Sequence, residues 1–138
     1  MGCAVLTIVA DENIPFVEHY FSHLGSVTRV SGRELSAEQV KCADILLVRS
    51  VTQVNQSLLA HSRVSFVGTA TIGIDHLDVG YLEAAGITWA NAPACNANSV
   101  VDYVLSCLCQ FSGLWAGLLS ASTVGIVGLG NVGFRLHQ

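Results

Sequence analysis

Three glycines near the end of the 138-residue sequence are spaced to receive a phosphate: Gly128, Gly130 and Gly133, within Thr123-Val124-Gly125-Ile126-Val127-Gly128-Leu129-Gly130-Asn131-Val132-Gly133. In a G-x-G-x-x-G loop the first glycine turns the chain and the second lets the backbone approach a pyrophosphate. The third lets the following helix pack closely on the preceding strand. A β-branched run leads into this loop, and Val132, Phe134, Arg135 and Leu136 can open a helix. The free N–H groups and partial positive charge at such a helix start favour phosphate. A bare glycine turn is the alternative, and the strand expected before the loop favours the cofactor reading. Gly128, Gly130, Asn131, Val132 and Gly133 are therefore the candidate cofactor-binding residues. The acid that would hold a ribose belongs about 20 residues further on, past Gln138.

A second chemistry lies earlier. The run Ile45-Leu46-Leu47-Val48 ends in Arg49-Ser50-Val51-Thr52, and another apolar run ends in Thr69-Ala70-Thr71-Ile72-Gly73. Arg49 offers a planar fork of donors to a carboxylate or phosphate, Ser50, Thr52 and Thr71 offer hydroxyls, and Gly73 exposes its backbone N–H. The set suits a small polar anion. Read blandly, Arg49 makes a surface ion pair and the threonines form turns; the pattern alone leaves both readings open.

Asp75-His76-Leu77-Asp78 invites a metal or acid–base reading. The favoured account is a helix capped by Asp75 with a solvent-facing His76. His19 and His23 are one helical turn apart but lack a third ligand, and Cys95 lacks an evident base to make it a nucleophile. The five cysteines form no C-x-x-C pair, so neither a zinc site nor a disulfide framework is expected; reduced thiols point to the cytoplasm. No metal and no catalytic residue is assigned.

The elements that would position these groups follow from periodicity. Strands are expected at residues 4–10, 26–30, 45–48, 64–68, 87–91 and 123–127. Continuous apolar runs such as 45–48 mark strands buried on both faces, as in a parallel sheet. Pro15 sits early in a first helix, with Phe16, Tyr20, Phe21 and Leu24 as its apolar stripe and Gly25 as its C′ residue. Ser36 to Gln39 fits a capping box, Asn55 caps a third helix, Asp75 begins one that Gly86 closes, and a longer helix runs from about 98 to 110. Alternating strands and helices imply an open α/β sheet.

The chain is 51% hydrophobic and 12% charged, with a net charge of −4. Scattered Lys and Arg offer no positive face for nucleic acid. No charged residue occurs from 103 to 134, but Ser, Thr, Gln and Gly break that stretch and argue against a membrane span. The low charge suggests apolar surface that expects cover.

Taken together, these segments resemble the D-isomer-specific 2-hydroxyacid dehydrogenases. The match rests on Asp11-Glu12-Asn13-Ile14-Pro15, on Val48 to Thr52, on Val67 to His76, on Asn91-Ala92-Pro93 with Cys95-Asn96-Ala97, and on Val124 to Gly128. The resemblance implies a flavodoxin-like parallel-sheet substrate domain, followed by the truncated start of a Rossmann dinucleotide-binding domain. It divides the chain into residues 1–97 for substrate, 98–120 as interdomain helix and joint, and 121–138 as the opening of the NAD domain. It implies oxidation of a small phosphorylated 2-hydroxy acid with NAD by a homodimer. Ser50 and Thr71 would bind substrate, with Arg49, Val51 and Gly73 beside them. The family's catalytic Arg, Glu and His come from the later half of the full enzyme, and none of the five His here matches, so this chain alone is expected to be inactive. Ala94 stands where the family usually has Gly, Asp102 where it has Glu, and 112–122 lacks the charges typical there. A different member of the family, or a non-catalytic α/β module, is the rival reading.

Overall fold

Uninterrupted apolar runs become the inner strands of a parallel sheet in the computed structural model, which describes residues 5–110, 113, 116–117, 120 and 123–138. Strands β1 (Leu6–Asp11), β2 (Gly25–Val30), β3 (Ile45–Val48), β4 (Phe66–Thr69) and β5 (Thr88–Ala90) alternate with helices α1 (Val17–Phe21), α2 (Ala37–Val40), α3 (Gln56–Leu59) and α4 (Val79–Ala84). The strands lie in the order β2-β1-β3-β4-β5, every neighbouring pair parallel. This is the flavodoxin-like order, which reverses direction between β1 and β3. A crevice opens at the carboxyl ends of the strands at such a reversal, and ligands bind there.

Successive side chains on a strand point to opposite faces. Val9, Leu46 and Val67 pack with Val40 of α2, Leu58 and Leu59 of α3 and Leu82 of α4. Ile8, Ala10 and Leu47 pack on the other face with Ile14 and Val17. Each such large aliphatic side chain contributes roughly 1.5–3 kcal/mol when fully buried. Leu46 and Val67 are wholly buried, so the centre of the sheet is a firm base for the loops that leave it.

Local capping holds where the sequence places it. The Ser36 N–H donates to Gln39 Oε1 at 2.9 Å, and Asn55 Oδ1 accepts from the Leu58 N–H at 3.2 Å. Three expectations change. Helix α1 begins after Phe16, whose φ of 57° is left-handed, so Pro15 precedes the helix instead of opening it. The phase of the stripe shifts with it: Val17 is buried, while Phe16 and Tyr20 face solvent. Gly25 is the first residue of β2, not a helix C′ residue; a Cβ there would lie 2.0 Å from the Leu6 carbonyl oxygen. Helix α4 is capped by Asp78, whose Oδ1 accepts the Tyr81 N–H at 3.0 Å, and not by Asp75.

The chain divides into two compact units, Met1–Pro93 and Ala94–Gln138. The second contains α5 (Ala97–Gln110) and α6 (Asn131–His137). Much of the Gly- and Ser-rich joint read at 112–122 lies outside the described residues. Residues 123–127, expected as a strand, are not one: they pair with no other strand among the described residues. A strand exists through hydrogen bonds to a neighbour, and among the described residues the five strands of the first unit pair only with one another. Among the described residues no helix is long and apolar enough to cross a membrane.

Candidate functional site

The candidate substrate residues sit at the carboxyl ends of the central strands. Asp11 ends β1 and is buried, with its Oδ1 accepting the Asn13 N–H at 2.8 Å. Arg49 follows β3, and its Nε lies 3.1 Å from the same Oδ1. Distance makes this an ion pair, although the N–H is not aligned for a hydrogen bond. A buried carboxylate is costly without compensation, so Asp11 and Arg49 hold each other across the strand reversal. Arg49 is thus neither a simple surface pair nor free. Its partner is a fixed, almost wholly buried acid, while its own side chain stays about one-third exposed at 34%.

The loop after β4 is built more tightly. Thr69, the last residue of β4, is buried and places its Oγ1 2.7 Å from Thr71 Oγ1 and 2.8 Å from His76 Nε2. The Thr71 hydroxyl donates to the Gly73 carbonyl at 3.0 Å. From the end of β5, Asn91 Nδ2 donates to the Ile72 carbonyl at 2.8 Å and the Ala92 N–H to the Thr71 carbonyl at 3.0 Å. The Val54 N–H donates to the His76 carbonyl at 2.8 Å, and the Val54 carbonyl accepts from the Asp78 N–H at 2.8 Å.

This last clamp turns His76 inward. The ring is buried, at 5% exposure, which corrects the solvent-facing reading. Burial pushes its pKa below the ordinary value, and the neighbouring Asp75 carboxylate opposes that shift. Sequence periodicity could not reveal this, because residues 70–78 belong to no helix or strand and present no regular face. The usable signal was Asp78 itself, three residues before Tyr81, which moves the helix start and leaves His76 on the incoming loop.

Ser50, Thr71 and Gly73 share a cavity of about 250 Å³ with Gln53, Asp75 and His76. Val51 lines a different cavity, of about 370 Å³, together with Gly32 and Thr52. Arg49 lines neither of these two. Chemically, the first cavity presents the Ser50 and Thr71 hydroxyls and the Gln53 amide as donors for an acceptor-rich ligand, with the Asp75 carboxylate in the same wall.

The glycine loop belongs to the second unit. Gly128 adopts φ 95°, and a Cβ on Gly133 would come 2.0 Å from the Gly128 carbonyl oxygen. Two of the three glycines are therefore required for the turn's shape. Gly130 precedes α6, and its carbonyl accepts the Phe134 N–H at 2.9 Å. Leu129, Gly130, Asn131 and Arg135 line a hollow of about 590 Å³ with Phe134 and Gln138. Val132 heads the same helix without lining it. Cys95 is exposed beside Ala94, which takes a left-handed φ of 61° at the position read as usually Gly. Among the described residues no three His, Cys, Asp or Glu side chains gather as metal ligands.

The catalytic-domain model of the D-isomer specific 2-hydroxyacid dehydrogenases matches residues 3–131. The chain belongs to this family. The family fold is also evident in solved structures. The NAD+-bound 3-phosphoglycerate dehydrogenase of Entamoeba histolytica superimposes with a TM-score of 0.69 at 22% identity, covering 97% of this chain and 50% of that one. The D-lactate dehydrogenase of Aquifex aeolicus, complexed with NAD and lactic acid, gives 0.67 at 18% identity, covering 94% and 46%. In sequence, this 2-hydroxyacid dehydrogenase chain is 55% identical over 133 residues to the erythronate-4-phosphate dehydrogenase of Cellvibrio japonicus, covering 96% of this chain and 34% of that protein. The Chromohalobacter salexigens enzyme of the same name is 53% identical over 133 residues, covering 96% and 35%. The chain thus spans about a third of the length of the curated relatives it matches.

Proposed function

We propose that this chain supplies the substrate-binding half, and the opening of the cofactor domain, of an NAD-dependent dehydrogenase. Its substrate is 4-phospho-D-erythronate and its product (R)-3-hydroxy-2-oxo-4-phosphooxybutanoate, a step toward pyridoxal 5′-phosphate. The observation that carries this reading is the 55% identity, over nearly the whole chain, to an erythronate-4-phosphate dehydrogenase. Residues 1–97 form the substrate domain, 98–120 the interdomain helix and joint, and 121–138 the start of the NAD domain. The enzyme is a cytoplasmic homodimer.

Ser50 and Thr71 donate to the substrate from the shared cavity. Arg49, steadied by Asp11, adds positive charge nearby, and Val51 and Gly73 shape the flanking backbone. Gly128, Gly130, Asn131, Val132 and Gly133 hold the NAD pyrophosphate. The tight approach of Gly133 to the Gly128 carbonyl supports that role, because any side chain there would spread the turn. When bound, NAD supplies the acceptor for the hydride leaving C2 of the hydroxy acid.

Binding tests the substrate. With the 138-residue chain, amide shifts at Ser50 and Thr71 should saturate at lower concentration with 4-phospho-D-erythronate than with 3-phosphoglycerate; the reverse order would overturn the assignment. NAD reduction by the isolated chain is expected to be absent, since none of its residues matches the family's catalytic Arg, Glu and His. A clear rate of NADH formation would refute that part.

A further inference from the structure

The three bonds that join His76, Thr69, Thr71 and Gly73 have only one consistent direction. A threonine hydroxyl owns one proton. Thr71 gives its proton to the Gly73 carbonyl at 3.0 Å. The 2.7 Å contact between Thr69 and Thr71 must then use the proton of Thr69. Thr69 has none left for the ring, so the 2.8 Å contact with His76 requires a proton on Nε2. The proton order runs His76 to Thr69 to Thr71 to Gly73, from the buried end toward the cavity wall.

We propose that His76 is a positioning residue, which acts through Thr69 to fix the Thr71 hydroxyl as a hydrogen-bond donor into the substrate cavity and so selects an acceptor-rich anion there. The proposal rests on the substrate reading above. Thr69 is buried and lines no part of this cavity, whereas the largely buried His76 borders it together with Thr71 and Ser50. An incoming anionic oxygen can replace the Gly73 carbonyl as acceptor while the two inner bonds remain. Each donated proton also polarises the next hydroxyl, which strengthens the outermost donor. Had the ring carried its proton on Nδ1, Thr69 would have to donate to Nε2. Thr71 would then be free to turn its proton inward and face the anion with a lone pair. His76 therefore sets the polarity of a group it does not itself present to the ligand.

The test has two readouts on the full 138-residue chain. Long-range ¹H–¹⁵N correlation of the imidazole at neutral pH is expected to show the Nε2–H tautomer, and an Nδ1–H tautomer overturns the relay. In titrations with 4-phospho-D-erythronate and D-erythronate, Thr69→Val and His76→Phe should each weaken binding of the phosphorylated ligand by at least about tenfold, comparable with Thr71→Val. Thr69→Ser, which restores the hydroxyl, and His76→Gln, whose amide can donate in place of Nε2–H, should recover it to within about threefold. A similar loss for D-erythronate assigns the donor to the carboxylate end, and no loss assigns it to the phosphate; either keeps Thr71 as donor. Equal binding by the unaltered chain and Thr69→Val, with sheet amide shifts intact, overturns the relay and leaves the substrate reading standing. No binding by the unaltered chain to either ligand overturns both.

Discussion

Two loops in this chain offer donors to an anion, and they are built differently. The loop after β4 grows out of a strand paired on both sides, and its turn is tied down from β5 by Asn91 and Ala92. The glycine loop follows residues that pair with no strand among the described residues, and Val127 just before it is fully exposed. Its described ties stay within the second unit: the Gly130–Phe134 backbone bond, the close approach of Gly133 to Gly128 and the packing of α6 against α5. In the proposed function both loops serve by their local chemistry, but rigidity comes from the element behind the loop. A site on a central strand inherits the stability of the sheet, whereas a site on an unpaired segment opens at little cost.

The sharpest way to break this comparison is to place the same clash in both regions. A Cβ at Gly25 or at Gly133 would meet a backbone oxygen at 2.0 Å in each case. Gly25→Ala must push β2 away from β1 and should cost about 2–4 kcal/mol of unfolding free energy. Gly133→Ala should cost less than about 1 kcal/mol, because the strain relaxes outside the sheet. Urea titrations followed by far-ultraviolet circular dichroism decide it, and equal losses would remove the distinction between the regions.

A smaller effect sharpens the account of the sheet-backed site. Arg49→Ala leaves the buried Asp11 without its cation and should cost about 1–3 kcal/mol. Arg49→Lys should recover part of that loss, by the same urea titration. The smallest effect concerns pH. Burial holds the folded His76 below its ordinary value of 6.5, so the unfolded chain takes up the proton first. Stability is therefore complete above that value and declines as pH falls below it, until the folded ring titrates as well. The His76→Gln variant should show a shallower fall in Tm between pH 7 and 5.

How much of this was legible beforehand depended on distance along the chain. The four apolar residues of β3 marked their own strand, with the expected bounds Ile45–Val48. Ser36 and Asn55 announced their caps, since a cap involves residues only three apart. The parallel order followed from alternating elements. The first helix misled because a left-handed residue at Phe16 rotates every later position. Residues 123–127 misled because β-branched residues suit a strand but cannot supply its partner. His76 was missed because a loop has no period to read.

Strand-forming runs, capping residues and glycine spacing were set by the sequence alone, since each depends on sterics and hydrogen bonds within a few residues. Only the tertiary structure decided that Arg49 meets Asp11, that Gly25 lies against Leu6 and that His76 turns inward onto Thr69. Such contacts join groups that sheet pairing and loop clamps bring together, and their energies arise from burial, which no local pattern encodes.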